Sequence, residues 1–128
     1  MDPELAAALV PILADLARPG GVLPELRDEA WNNLPGTASA FLYAQDGSGQ
    51  GISIALGRPP AQQVAELADQ VQEWAVEALW TLGRPTNWPS CPRHPYSHPL
   101  AAMESHGRAV WQCPADRFEV AAIGRLQS

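Results

Sequence analysis

Apolar positions change their period several times along this chain, and each change predicts an element. Leu5, Leu9, Ile12, Leu13 and Leu16 recur three and four residues apart, the spacing of one face of an α-helix. Asp2-Pro3 opens that helix, with Asp2 as cap and Pro3 in the first turn, where its missing N–H does no harm. Pro11 is expected to kink or split the helix, because it removes a backbone donor. Arg18-Pro19-Gly20-Gly21 ends it. A second, short helix is expected over about Pro24 to Asn32, with Leu26, Ala30 and Trp31 facing inward.

Beyond the break at Pro35-Gly36 the period shortens to two. Phe41 and Tyr43 share one face of the stretch from Thr37 to Gln45, and Ile52, Ile54 and Leu56 alternate strictly. Asp46-Gly47-Ser48-Gly49 is a turn signal between them, so residues 37–56 read as a β-hairpin. Gly47, Gly49 and Gly51 lack the spacing of a dinucleotide-binding loop and precede a strand, which leaves them the role of a hairpin turn. Pro59-Pro60 then opens the longest helix, expected over 60–82 and stopped by Gly83 before Arg84-Pro85. Val64, Leu67, Ala68, Val71, Trp74, Ala75, Ala78, Leu79 and Leu82 fall in one sector, and Glu66, Asp69, Glu73 and Glu77 fall opposite. Trp80 lies among the acids. It is either isolated there, covered by the returning C-terminal segment, or the contact of a partner.

From Pro85 the character changes. Six of the 13 prolines lie between Pro85 and Pro114, and no periodicity returns until Arg108 to Cys113, which reads as a strand. Phe118 to Ile123 reads as its hairpin partner, turned through Pro114-Ala115-Asp116-Arg117. The expected class is therefore α+β. Helices pack on a small antiparallel sheet, and a C-terminal β-hairpin module, stabilised by the zinc site that the Cys91–Cys113 segment's two cysteines and three histidines point to, either extends that sheet or caps the long helix at Trp80. Residues 1–84 form the helical and hairpin core in this reading. Residues 85–128 form the proline-rich loop and hairpin, packed on the core as one domain.

The same segment holds the chain's candidate chemistry. Both cysteines and all three histidines lie between Cys91 and Cys113, in the order Cys91-Pro92-Arg93-His94, His98, His106, Cys113-Pro114-Ala115-Asp116. A Cys-x2-His spacing lets one tight turn present two side chains to one ion, and His94-x3-His98 is also a ligand spacing. Thiolates and imidazoles in tetrahedral geometry select Zn²⁺. The two Cys-Pro-x-x elements, with a hairpin about Cys113, resemble a zinc ribbon or zinc-knuckle module over about residues 88–123. The resemblance implies a metal site and departs from the family at Asp116, where the last ligand is ordinarily Cys or His. The expected ligands are Cys91, His94, His98 and Cys113, with Asp116 as the alternative fourth. His106 sits by Gly107 at a turn and is left out. The competing view makes the cysteines small buried residues and the histidines surface groups of a proline loop. Trp88 and Trp111 flank the cysteines and read as packing. A metal also supplies the order that a proline-rich segment cannot draw from its own backbone hydrogen bonds.

Composition narrows the functional classes. The chain has 128 residues and a net charge of −6, and all eight basic residues are arginine. Without lysine there is no complete Walker phosphate loop, no Schiff base and no pyridoxal-phosphate anchor. Acidity and scattered arginines argue against nucleic-acid binding, which runs on phosphate neutralisation. A composition rich in Ala, Gly, Pro and Arg fits GC-biased bacterial coding. Asp2 and Glu4 stand where a secretion leader carries basic residues, and the apolar stretch from Leu5 to Ala17 is too short to span a bilayer, so a cytoplasmic protein is expected. There, two cysteines are thiols or metal ligands.

The chain shows no His-Glu-x-x-His helix, no deaminase pattern and no Gly-x-Ser-x-Gly elbow. The leading expectation is a small non-enzymatic binding or accessory protein with a structural zinc site. It would act on a protein partner through its acidic surface or exposed aromatics, Trp80 among them. The alternatives are a zinc enzyme with an open site on Cys91, His94 and Cys113 with Glu104 as base, a Cys–His nucleophilic pair, and a nucleic-acid-binding zinc module that the charge disfavours.

Overall fold

The computed structural model describes residues 1–127. Their elements follow in the order α1 (Pro3–Leu16), β1 (Glu25–Arg27), β2 (Thr37–Tyr43), β3 (Gly49–Ala55), α2 (Pro60–Thr81), β4 (Ala101–Ser105), β5 (Arg108–Gln112) and β6 (Glu119–Ala122). The strands form two separate antiparallel sheets, ordered β1-β2-β3 and β4-β5-β6. The fold is α+β, as the periodicity predicts. The C-terminal hairpin neither extends the first sheet nor caps α2 at Trp80. It belongs to a second sheet that packs on α2, chiefly through β4 and β5.

Helix α1 is capped as expected, with the Asp2 carboxylate accepting the N–H groups of Glu4 and Leu5 at 2.8 and 3.1 Å. Pro11 does not split it, and the helix runs unbroken to Leu16. Pro11 packs against Gly124, where a Cβ would come within 2.8 Å of the proline ring. Helix α2 ends in a Schellman motif: Arg84 N–H donates to Leu79 O and Gly83 N–H to Trp80 O, both at 3.0 Å, with Gly83 at φ +66°. Its left-handed backbone is what Gly tolerates and other residues resist.

The short helix expected over Pro24 to Asn32 is absent. Glu25–Arg27 instead add a third strand, with Leu26 opposite Leu42, and the rest is irregular. Trp31 lies against Gly51, and its indole N–H reaches Ala40 O and Ile52 O, both at 3.1 Å. Tertiary pairing and one indole thus outweigh local helix preference. The 37–56 hairpin forms as read, with Asp46 Oδ1 accepting Ser48 N–H at 2.9 Å in the turn.

One apolar cluster runs through the molecule. Leu5, Leu9, Ile12 and Leu16 of α1 meet Leu42, Ile52 and Ile54 of the first sheet and Leu67, Val71, Trp74 and Leu79 of α2. Leu100, Trp111, Cys91 and Cys113 continue the same cluster into the second sheet. Buried side chains of this size contribute roughly 1.5–3 kcal/mol each.

One carboxylate breaks the apolar rule. Asp15 is fully buried and accepts the Trp111 indole N–H at 2.8 Å, Gly124 N–H at 2.6 Å and Leu126 N–H at 3.1 Å. Three donors satisfy it where water cannot, and they fasten α1 to the second sheet and to the residues after it.

Candidate metal centre

The second sheet and the loop before it carry the cysteines and histidines. β4 and β5 are joined by His106 and Gly107, both with positive φ (53° and 77°), the conformation of a type I′ turn. β5 delivers Cys113 at its end. The next turn closes with Arg117 N–H on Cys113 O at 2.8 Å and Cys113 N–H on Phe118 O at 2.9 Å. On the other side, residues 88–100 form a closed loop. Leu100 N–H donates to Pro89 O at 2.7 Å, and Ser90 bridges Pro99. The side chain of Gln72, from α2, holds both ends: its amide donates to Trp88 O at 3.2 Å and to Leu100 O at 2.6 Å. Trp88 and Trp111 pack edge to face with centroids 5.6 Å apart beneath the loop.

This framework brings four of the expected side chains together. One donor atom from each of Cys91, His94, His98 and Cys113 lies within 4.8 Å of the other three. His94 Nδ1 is 3.2 Å from His98 Nε2, 3.4 Å from Cys113 Sγ and 3.8 Å from Cys91 Sγ, and Cys113 Sγ is 3.9 Å from His98 Nε2. Bond lengths of about 2.05 Å to nitrogen and 2.3 Å to sulfur give a tetrahedral zinc site edges of about 3.3 Å between nitrogens and about 3.6 Å between nitrogen and sulfur. The four distances fall close to those edges. Two thiols and two imidazoles therefore converge at a spacing compatible with one zinc ion.

The surroundings favour ligation. His98 Nδ1 is 3.1 Å from the Pro99 carbonyl. A carbonyl only accepts, so Nδ1 carries the proton and Nε2 turns a lone pair toward the cluster. A backbone partner of this kind orients most metal-bound imidazoles. Both cysteines are fully buried. Burial pushes the Cys113 thiol above its ordinary pKa, while the backbone N–H groups of Asp116 and Ala115 act in the opposite direction. N–H groups aimed at a sulfur from a Cys-Pro turn stabilise the anionic form a cation requires.

Asp116 lies outside the converging group. Its Oδ2 receives the Arg93 guanidinium at 2.7 Å, and its Oδ1 accepts Phe118 N–H at 3.0 Å. The Phe118 N–H first, and Arg93 second, hold its carboxyl down at a pKa of about 2. Arg93 also lies 4.7 Å from the centroid of the Phe118 ring. The Arg93–Asp116 pair therefore joins the two Cys-Pro turns from outside. His106 is at the β4–β5 turn, beside Ser105 Oγ at 3.1 Å. Glu104 accepts Gly107 N–H at 2.9 Å and takes no part in the group. Trp80 is 75% exposed on α2, so the C-terminal segment does not cover it.

Two positioning residues, Gln72 and Asp15, are missing from the sequence reading. Asp15 left a trace, as a carboxylate inside the apolar stripe of α1. Gln72 left none, since glutamine on a helix flank is unremarkable in composition.

The fold and cluster define a small α+β chain with a Cys2His2 donor set joining two Cys-Pro turns. No protein-family model, no curated protein and no solved structure matches the chain. Among the described residues no helix is long and apolar enough to cross a membrane.

Proposed function

We propose that Cys91, His94, His98 and Cys113 bind one structural Zn²⁺, and that the chain is a non-enzymatic accessory protein acting by holding a protein partner. The observation that carries the zinc assignment is the set of donor separations, 3.2 to 3.9 Å. Bound there, zinc would supply no chemistry to a substrate. It would cross-link the proline-rich loop to the end of β5. Four protein donors fill a tetrahedral site, whereas catalytic zinc keeps a position for water. Glu104, the base expected for an open site, is engaged at the far turn by the Gly107 N–H.

In this reading the centre resembles a zinc ribbon in which His94 and His98 replace two of the usual ligands, a likeness supported by the two Cys-Pro turns. Asp116 serves as an outer clamp in this reading. A partner-binding role is supported by the net charge of −6 and by the exposure of Trp80. Cobalt substitution tests the assignment. Four protein ligands give the intense visible bands of tetrahedral Co²⁺ with thiolate charge transfer, unaltered by added azide or cyanate. A spectrum that changes with those anions would indicate an open, catalytic position.

A further inference from the structure

Beside the donor cluster, two adjoining hollows of about 470 and 400 Å³ follow the seam between α2 and β4 and share Asp69. Glu66, Asp69, Glu73 and Glu77 of α2 and Glu104 of β4 line them, and no arginine does. Among the described residues none of these five carboxylates enters an ion pair. The remaining wall is largely small and apolar, with Leu100 from the end of the donor loop and Ala102 from β4. Trp80 stands on α2 one turn beyond Glu77.

We infer that this groove docks an extended segment of a protein partner carrying arginine or lysine at alternate positions. The inference rests on the reading of the chain as a partner-binding protein and names the surface and its ligand. Charge complementarity selects the occupant: a second copy of this chain, at net −6, repels it, and a nucleic acid does so more strongly. Spacing selects its conformation. Asp69, Glu73 and Glu77 follow each other every four residues, about 6 Å along a helix axis. Same-face side chains of an extended strand recur every two residues, about 6.6 Å apart. A strand laid along α2 therefore sets successive cations near successive carboxylates, and its intervening side chains lie on the apolar wall. His98 and Pro99 form part of that wall, so the ordered donor loop shapes one end of the groove.

The test uses the full chain and a labelled eight-residue peptide of alternating Arg and Thr, read by fluorescence anisotropy at low and moderate salt. Glu73→Lys/Glu77→Lys should weaken binding at least about tenfold, as opposing charges at a contact rim do. Glu25→Lys/Glu29→Lys, with the same net charge but on β1 and the loop after it, should leave binding within about twofold. Amide shifts on peptide addition should map to residues 66–80 and 98–104. Equal weakening by both double variants, or shifts elsewhere, would overturn the inference. A parallel selection from a random peptide library separates it from the broader reading. Enrichment of basic alternating sequences supports both. Enrichment of neutral or acidic binders overturns the groove assignment and leaves partner binding standing.

Discussion

Among the described residues Gln72 is the α2 side chain that hydrogen-bonds the donor loop, and its replacement gives a graded prediction. Its amide N–H groups satisfy two backbone carbonyls, Leu100 O at 2.6 Å and Trp88 O at 3.2 Å, on residues that are 1% and 5% exposed. Gln72→Ala removes both donors and leaves both carbonyls unpaired in a part-buried seam. A buried polar group left unpaired costs about 1–3 kcal/mol. The longer bond contributes the lesser share, so the loss should be about 2–4 kcal/mol. For a chain of this size each kcal/mol shifts Tm by about 3–5 °C, and thermal unfolding should show a fall of about 6–20 °C. Gln72→Glu keeps the shape but turns an acceptor toward two acceptors. At neutral pH it should be at least as damaging as alanine. Because the two bonds close the loop that bears Cys91, His94 and His98, zinc affinity should fall with stability. Chelator competition should read at least a tenfold loss, equivalent to about 1.4 kcal/mol. If Gln72→Glu unfolds within about 2 °C of the unaltered chain and holds zinc as tightly, the reasoning is wrong.

Other changes test other links. Asp15→Ala strands two buried N–H donors and a part-buried one and should destabilise the chain by about 3–5 kcal/mol in urea titration, with Asp15→Asn in between because an amide oxygen still accepts; an Asn variant as stable as the parent would contradict the buried carboxylate's role. Cys91→Ser or His94→Ala should speed hydrogen exchange across residues 85–123 far more than in α2, and uniform acceleration through both regions would argue that the loop has no separate dependence on its donors. The Ser105 hydroxyl first, and Arg108 second among its partners, hold the Glu119 carboxyl below its ordinary value of 4.5. Their contribution to the second sheet is therefore complete above that value and is lost as pH falls through the lowered pKa. Ser105→Ala should raise the Glu119 midpoint toward 4.5 in a carboxyl NMR titration; an unmoved midpoint would show the hydroxyl to be idle.

Legibility followed how strongly each segment's local chemistry agreed with its tertiary setting. The long helix carried nine apolar positions in one sector, two prolines at its start and a glycine at its stop, and the structure differs from the reading by a residue at its end. Strict alternation at Ile52 and Ile54 and the Asp-Gly-Ser-Gly turn made the first hairpin equally plain. β4 was hidden because Ala101-Ala102-Met103-Glu104 has neither alternation nor β-branching. Its strand character comes from β5 and from the left-handed turn at His106-Gly107. Residues 24–32 misled for the converse reason, since Leu26, Ala30 and Trp31 fit a helix face while the edge of β2 offers Glu25–Arg27 a ladder. The donor set was readable because Cys and His occur nowhere outside residues 91–113 of the chain. Which fourth residue joined them was not, because the choice between His98 and Asp116 depends on where Arg93 and the Phe118 N–H fall in space.

The proposed zinc site of Cys91, His94, His98 and Cys113 would hold the proline-rich loop to the end of β5. Metal content of the full chain, purified after expression with zinc supplied and compared with the Cys91→Ser/Cys113→Ser variant, tests it most directly. The account predicts one equivalent of zinc per chain, lost in the double variant. Less than about half an equivalent in the unaltered chain, or equal zinc in both proteins, would contradict it.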